Sequence, residues 1–397
     1  MIDGAEATGP LAGVRVIDIT SVVLGPFATQ VLGDMGADVI KVESPAGDAT
    51  RHIGPGRGEA MGSYFAGLNR NKRSVVLDLK RPAPLAALHR LIDSADVVVH
   101  NMRLAAAARL GLTHAALSAR NPRLILACAS GFRKNSSLQE APAYDDLIQG
   151  ISGLAALNAG PDGAPRYVPT VLVDKLTGHV LASMIGMALY HRERTGHGQE
   201  VHVPMLETML SFLLAEHLWG AVLGEPERGL GYPRMLTPHR RPYATKDGYI
   251  CVICVTDVHW ARLLAAIGRP ELIADARFTS IRARSDNVDA LYGALNDGLR
   301  ARGTAEWLEV LRPLDIPCGP VETLPGLLEN AYLKETGFFR DEMHPSEGRV
   351  MVTAAPAEFS ATRVGLQRLW PRLGEHTHDV LRDIGYGEED IERLIDD

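Results

Sequence analysis

Asp174 closes the apolar run Tyr167-Val-Pro-Thr-Val-Leu-Val and stands directly ahead of the helical stretch Lys175 to Arg194, where a solvated helix has no need of a carboxylate. Leu176, Val180, Leu181, Met184, Met187, Ala188 and Leu189 recur at helical spacing, and Thr195-Gly-His-Gly-Gln199 reads as the stop signal. Asp174 is therefore expected at a helix N-terminus beside a core. An N-cap is the plain explanation, since an aspartate there accepts backbone N–H bonds. His179, five residues on, does not share a helical face with Asp174 and is read as peripheral rather than as a base. Cys251-Val-Ile-Cys254 has the spacing of half a zinc site, but no second pair of ligands follows. The flanking residues Tyr249 to Val255 read instead as a continuous buried strand in which cysteine acts as a small hydrophobe. His376 and His378 also lack partners for a metal, so no metal site is expected.

The elements that must position Asp174 alternate along the first half of the chain. Val14–Ile19, Asp38–Val42, Ser74–Asp78, Asp96–Val99 and Arg123–Cys128 read as strands, with helices near Ala83–Ser94 and Thr113–Arg120. Such alternation predicts an α/β fold, a doubly wound parallel sheet whose ligands collect at the carboxyl ends of its strands. The first strand-to-helix turn, Thr20-Ser-Val-Val-Leu-Gly-Pro26, has one glycine where a dinucleotide fingerprint needs three, which argues against a nicotinamide enzyme. After the Pro/Gly-rich stretch Gly224–Pro233 the pattern changes to a hairpin around Lys246-Asp-Gly248 and helices at His259–Ile267, Ser285–Arg302 and Thr304–Leu314. The expected organisation is a large domain over 1–223, a smaller α+β domain over 224–330, and a return over 331–397.

Composition narrows the function classes. No run of eighteen apolar residues appears, so no membrane span is expected, and Met1–Pro10 has neither the basic start nor the apolar core of a signal peptide. Four scattered cysteines do not suggest a disulfide framework, and a cytoplasmic location is expected. The net charge of −7, with dispersed basic residues, makes nucleic acid an unlikely partner.

The stretch from Val173-Asp-Lys-Leu-Thr-Gly-His to Thr195-Gly-His-Gly-Gln199 and Val201-His-Val-Pro-Met-Leu-Glu207 resembles the signature region of class III CoA-transferases, the CaiB/BaiF family. The resemblance extends to Leu11–Asp18, Gly36–Glu43, Asn69–Val75, Ala95–Val99, Ala143–Asp146, Ile316–Val321 and Leu373–Thr377, in order along nearly the whole chain. It implies a Rossmann-like large domain made from both chain ends, a small middle domain, and an interlocked homodimer. It also implies that Asp174 is the nucleophile, carrying acyl groups and CoA through aspartyl anhydride and aspartyl-CoA thioester intermediates. Coenzyme A and acyl-CoA are then substrates, with a small carboxylic acid as partner and no permanently bound cofactor.

Carried onto matching positions, the resemblance places Asp145 as a second catalytic carboxylate and Val23, Leu24, Asn69, Lys72, Arg73, Asn101, Arg109 and Tyr144 at the CoA. The chain departs from the family pattern at Met102-Arg-Leu-Ala105, at Gly131-Phe-Arg-Lys-Asn-Ser-Ser137 and at Gly229-Leu-Gly-Tyr-Pro233, which replaces a glycine tract. An α-methylacyl-CoA racemase is the nearest alternative. That branch carries Gly-His-Asp where this chain has Ala143-Tyr144-Asp145, so a base for α-proton abstraction is missing. A non-catalytic CoA-binding protein is the remaining alternative, against which the intact Asp174 argues.

Overall fold

The computed structural model of the chain describes residues 8–160 and 162–396; the first seven residues, part of the segment read above for a signal peptide, lie outside the described residues. Six strands, β1 (Arg15–Ile19), β2 (Asp38–Glu43), β3 (Lys72–Val76), β4 (Val97–His100), β5 (Ile125–Ser130) and β6 (Glu200–Pro204), form one sheet in the order β3-β2-β1-β4-β5-β6. All neighbours pair in parallel. The strand order reverses between β1 and β4, so the crevice such sheets use for ligands opens where those two strands end.

The β-branched runs become strands because both faces of the sheet are covered, which rewards Val and Ile on each side. On one face Ile17, Ile40, Val75, Val98 and Leu126 pack against Leu88, Leu91 and Ile92 and against Val380, Leu381, Ile391 and Leu394 from the two last helices. The end of the chain thereby returns to the sheet that its beginning builds. On the other face lie the helix α1 (Leu24–Asp34), which follows β1, and a long helix over Leu172–Thr195. The long helix is apolar enough by length and composition to cross a membrane. Its apolar character is used here in packing on α1 and on β5 and β6.

Glycine permits that packing. A Cβ at Gly178 would lie 2.7 Å from the Leu24 carbonyl oxygen, whereas one at Gly186, two turns on in the same helix, would meet nothing within 4 Å. Gly178→Ala is expected to destabilise the protein by about 1–3 kcal/mol through overpacking, outweighing the gain in helix propensity. Gly186→Ala should stabilise it by roughly 0.5–1 kcal/mol. Urea midpoints of the two variants should move in opposite directions, and shifts of the same sign would contradict the close helix contact.

Beneath this face the sheet carries three ion pairs with essentially no exposure: Asp18–Lys72 at 3.0 Å, Lys41–Asp48 at 3.0 Å and Glu43–Arg51 at 2.7 Å. Burial opposes ionisation of Asp18, but Lys72, Lys41 and the hydroxyls of Thr20 and Thr29 hold its carboxyl well below the usual range. Each acid has a base, so the buried set is charge-balanced.

The contacts divide the chain into two compact units, the first running up to Asn158 and including Pro165–Phe212 and everything from Glu335 onward, the second built mainly from Leu213–Lys334. The sequence reading put these changes at 223/224 and 330/331. The first one falls inside the helix Met205–His217, where composition has no break to show. The second unit has a three-stranded antiparallel sheet of Tyr243–Ala244, Tyr249–Val252 and Cys318–Pro320, and its own core around Trp260, Leu263, Leu291, Leu295, Trp307 and Leu311. The hairpin around Lys246-Asp-Gly248 is present. Its second strand alternates instead of being buried throughout: Ile250 is buried while Tyr249 and Cys251 are exposed, because this small sheet covers its core with one face only. His376 brackets the edge of the large sheet, its ring nitrogens meeting the Ser74 amide and Arg368.

Candidate active site

A cavity of about 210 Å³ opens at the carboxyl ends of β1, β4 and β5. Its wall consists of the loop Ser21–Leu24, the turn Asn101–Arg103, the end of β5 through Gly131, the segment Ala141–Tyr144, and Asp174. Among the helices that begin around it are α1 at Leu24, α2 (Asp145–Ile151), and α3, the long helix Leu172–Thr195. Neither Val23 nor Val171, the N-cap residues of α1 and α3, supplies a side-chain cap; at α3 the Asp145 carboxylate takes the Asp174 N–H instead, which leaves the partial positive charge of the α1 end for a ligand or for water.

Asp174 is the third residue of α3, not its cap. It is half-buried on the cavity wall, and its carboxylate forms no hydrogen bond among the described residues. Burial pushes its carboxyl up to about 7, helped by the charges of Asp145 and Asp146. The helix end works the other way, but ~0.3–1 kcal/mol is less than one pH unit and does not offset the burial. The result is an unpaired carboxylate more basic than usual, half ionised near neutrality and facing a cavity.

The surrounding backbone is held by the buried ions. Val22 has φ 70°, a left-handed conformation that a β-branched residue adopts only under constraint, and its N–H points at the two Asp48 oxygens at 3.3 and 3.2 Å. Asp48 is in turn fixed by Lys41. Asn101 ties the neighbouring turn to this loop, its amide accepting from the Ser21 N–H at 3.1 Å and donating to the Ser21 carbonyl at 2.9 Å. A Cβ on Gly131 would fall 2.2 Å from that of Ala143, so only glycine lets the end of β5 pass the segment leading into α2.

The structure brings Val23, Leu24, Asn101, Tyr144 and Asp174 together around the cavity. Val23 and Leu24 contribute buried wall, and Tyr144 is 70% exposed at the start of α2. Asp145 is corrected from a catalytic to a positioning residue. It is 4% exposed and does not border the cavity; one oxygen accepts the Asp174 backbone N–H at 3.0 Å and the other accepts from Gln149 at 2.5 Å.

Asn69, Lys72 and Arg73 are also corrected. Asn69 and Lys72 are fully buried. The Lys72 ammonium spends its donors on Asp18 at 3.0 Å, the Pro26 carbonyl at 2.8 Å and Asn69 at 2.9 Å, while Asn69 donates to the Phe65 carbonyl. Arg73 lies near the amino end of β3, away from the strand ends that form the cavity, and is clasped by Asp38. Arg109 is exposed at the end of the helix Leu104–Arg109 and is not part of the cavity wall.

Sequence reasoning missed the cations at the other end of the strand. A second cavity, about 400 Å³, shares Ser21, Asn101 and Met102 with the first and is bordered by Leu79 and Lys80, just past the carboxyl end of β3. Lys80 is exposed, and neither it nor Arg103 on the first cavity has an ion-pair partner among the described residues. The rule that ligands gather beyond strand carboxyl ends selects Lys80 over Lys72 once the strand direction is known. Tyr64 was missed too: burial and then the charges of Asp174 and Asp145 raise its phenol, which places it within electrostatic reach of the nucleophile candidate.

Fold and site together define an enzyme with a carboxylate at the switch point of a doubly wound sheet and no dinucleotide fingerprint. Residues 11–377 match the sequence model of CoA-transferase family III, and the chain belongs to that family, the CaiB/BaiF CoA-transferases. It is 36% identical to an acetyl-CoA:oxalate CoA-transferase of Acetobacter aceti, over 90% of each chain. It is 31% identical to a succinate–glutarate CoA-transferase of Agrobacterium fabrum over 99% of each. Among solved structures, a CAIB/BAIF family protein from Brucella suis superposes with a TM-score of 0.80 at 30% identity, over 95% of this chain and 100% of that one.

Proposed function

We propose that this CoA-transferase moves CoA between carboxylic acids, with Asp174 as the covalent carrier. The observation that carries the reading is the Asp174 carboxylate, unpaired, raised to about 7 and set on a cavity ringed by helix N-termini. The ionised carboxylate attacks the thioester carbonyl of the donor acyl-CoA, forming a mixed anhydride and releasing CoA thiolate. The thiolate then attacks the aspartyl carbonyl, giving an aspartyl-CoA thioester and freeing the donor acid with one former Asp174 oxygen. The acceptor carboxylate displaces CoA to form a second anhydride. The returning thiolate takes the acceptor acyl group and leaves Asp174 with one oxygen from the acceptor. Holding these partners in contact replaces bimolecular encounters, and the uncapped α1 end stabilises the oxyanions that form at each attack.

The cavity of about 210 Å³ is smaller than the ~300–1,000 Å³ of drug-sized sites, which favours short acids. Arg103 is the one cation on its wall among the described residues and suits an acceptor with a second carboxylate. Lys80 and the larger adjoining cavity suit the nucleotide part of CoA. A homodimer fits the exposed Met184, Met187 and Tyr190 along α3, apolar surface that a second copy would cover.

The reading is tested by incubating the protein with acetyl-CoA or succinyl-CoA and a panel of short mono- and dicarboxylates, and following CoA exchange by mass spectrometry. New acyl-CoA species are expected, most abundant for dicarboxylates. Exchange of the α-proton with no movement of CoA would favour a racemase instead.

Asp145 gives a separate prediction. Asp145→Asn keeps an oxygen for the Asp174 N–H while removing the nearest negative charge that raises Asp174. The acid limb of kcat/KM should therefore move to lower pH, by roughly one pH unit for a single neighbouring charge. A loss of stability with an unmoved limb would reduce Asp145 to scaffolding.

A further inference from the structure

We infer that the second unit holds a binding site of its own for a small organic anion with at least two negatively charged oxygens. The site is a cavity of about 450 Å³ walled by Arg234, Arg240, Arg241, Tyr243, Cys251 and Tyr292, among others. Three arginines line it, and no aspartate or glutamate does. Elsewhere in the chain well-buried arginines are each met by an acid, as at Arg51–Glu43, Arg70–Asp34, Arg192–Asp96 and Arg284–Asp257. Like charges gathered without a counter-ion repel one another, so a bound anion is the missing partner.

The cavity is more than a patch of solvated surface. Arg234 is oriented by its Nε–H, which donates to the Tyr292 hydroxyl at 2.8 Å, with the Tyr232 hydroxyl as a second side-chain partner of the guanidinium. Arg240 and Arg241 are exposed, and no side-chain hydrogen bond or ion pair holds either among the described residues. Tyr243 is 4% exposed as a residue and also lies on the cavity wall. Planar guanidinium forks match carboxylate and phosphate oxygens in pairs, and two or more forks on one cavity favour a dianion over a monoanion. The tyrosine rings give such a ligand an apolar surface for its carbon frame.

A dicarboxylate and a phosphorylated metabolite share this chemistry, and the test separates them. Cys251 is exposed and lies on the cavity wall, so its thiol reports occupancy, with buried Cys128 and Cys254 as internal references. The whole protein is alkylated with iodoacetamide in glutarate, inorganic phosphate or acetate at matched ionic strength, and Cys251 modification is timed by peptide mass spectrometry. Glutarate or phosphate is expected to slow Cys251 several-fold relative to acetate, the stronger protector naming the class, and the protection should vanish in the Arg240→Ala/Arg241→Ala double variant. Each variant is compared with itself in the absence of ligand, and both substitutions are at exposed positions, so folding does not enter the comparison. No protection by either dianion, equal protection by acetate, or protection that survives the double substitution would overturn the site. The readout needs no turnover, so it succeeds or fails independently of Asp174.

Discussion

Asp174→Ala is expected to lower CoA transfer by at least ~10⁴-fold, because every step of the proposed cycle forms or breaks a bond to that carboxylate. The effect should be on kcat, with acyl-CoA still bound by a cavity whose remaining wall is untouched. Stability should move the opposite way. A carboxyl whose ordinary value of 3.8 rises to about 7 on folding holds a proton in the native state that the unfolded chain has released. Its contribution is therefore favourable at low pH and is lost as pH rises through about 7. Asp174→Asn removes that penalty and should stabilise the protein at pH 8 by on the order of 2–4 kcal/mol, with little change at pH 4. An inactive variant that melts higher at pH 8 marks a group placed for reaction at the expense of stability; one that melts lower marks a structural cap.

Lys72→Met is expected to cost about 3–5 kcal/mol, since it strips the fully buried Asp18 of its nearest cation. Chemical denaturation measures the loss, and Asp18→Asn in the same chain should restore part of it because the uncompensated charge is then gone. Folded Lys72→Met should retain the KM for acyl-CoA, whereas Lys80→Ala should raise it without a comparable loss of stability. A KM effect at Lys72 with unchanged stability would return that lysine to the cofactor site.

The contrast between these two lysines shows where sequence reasoning reaches and where it stops. The six parallel strands were legible because β-branched runs buried on both faces leave little else for the chain to do, and five of the six lie within a few residues of the apolar segments. Asp174 was legible because an acid in an apolar run needs a reason. Lys72 and Lys80 look alike in sequence; what separates them is that Lys72 lies within β3 with its ammonium buried against Asp18, whereas Lys80 lies past the carboxyl end of that strand on a cavity, facts of position and direction that composition does not carry. Asp145 reaches Asp174 across 29 residues of chain, and only the folded backbone shows that it holds an amide instead of facing substrate. The glycines at 131 and 178 likewise declare their purpose only when the atoms they admit, Ala143 and the Leu24 carbonyl, are in place. The unit boundary escaped notice because a continuous helix crosses it.

The most direct measurement follows the oxygens of the carrier carboxylate. Turnover of acyl-CoA with an acceptor acid whose carboxylate carries heavy oxygen should deposit that isotope in the side chain of Asp174, and peptide mass spectrometry should find it there and in no other acidic residue of the cavity region. An Asp174 peptide that stays unlabelled while CoA is transferred would mean that the acyl group never passes through this carboxylate.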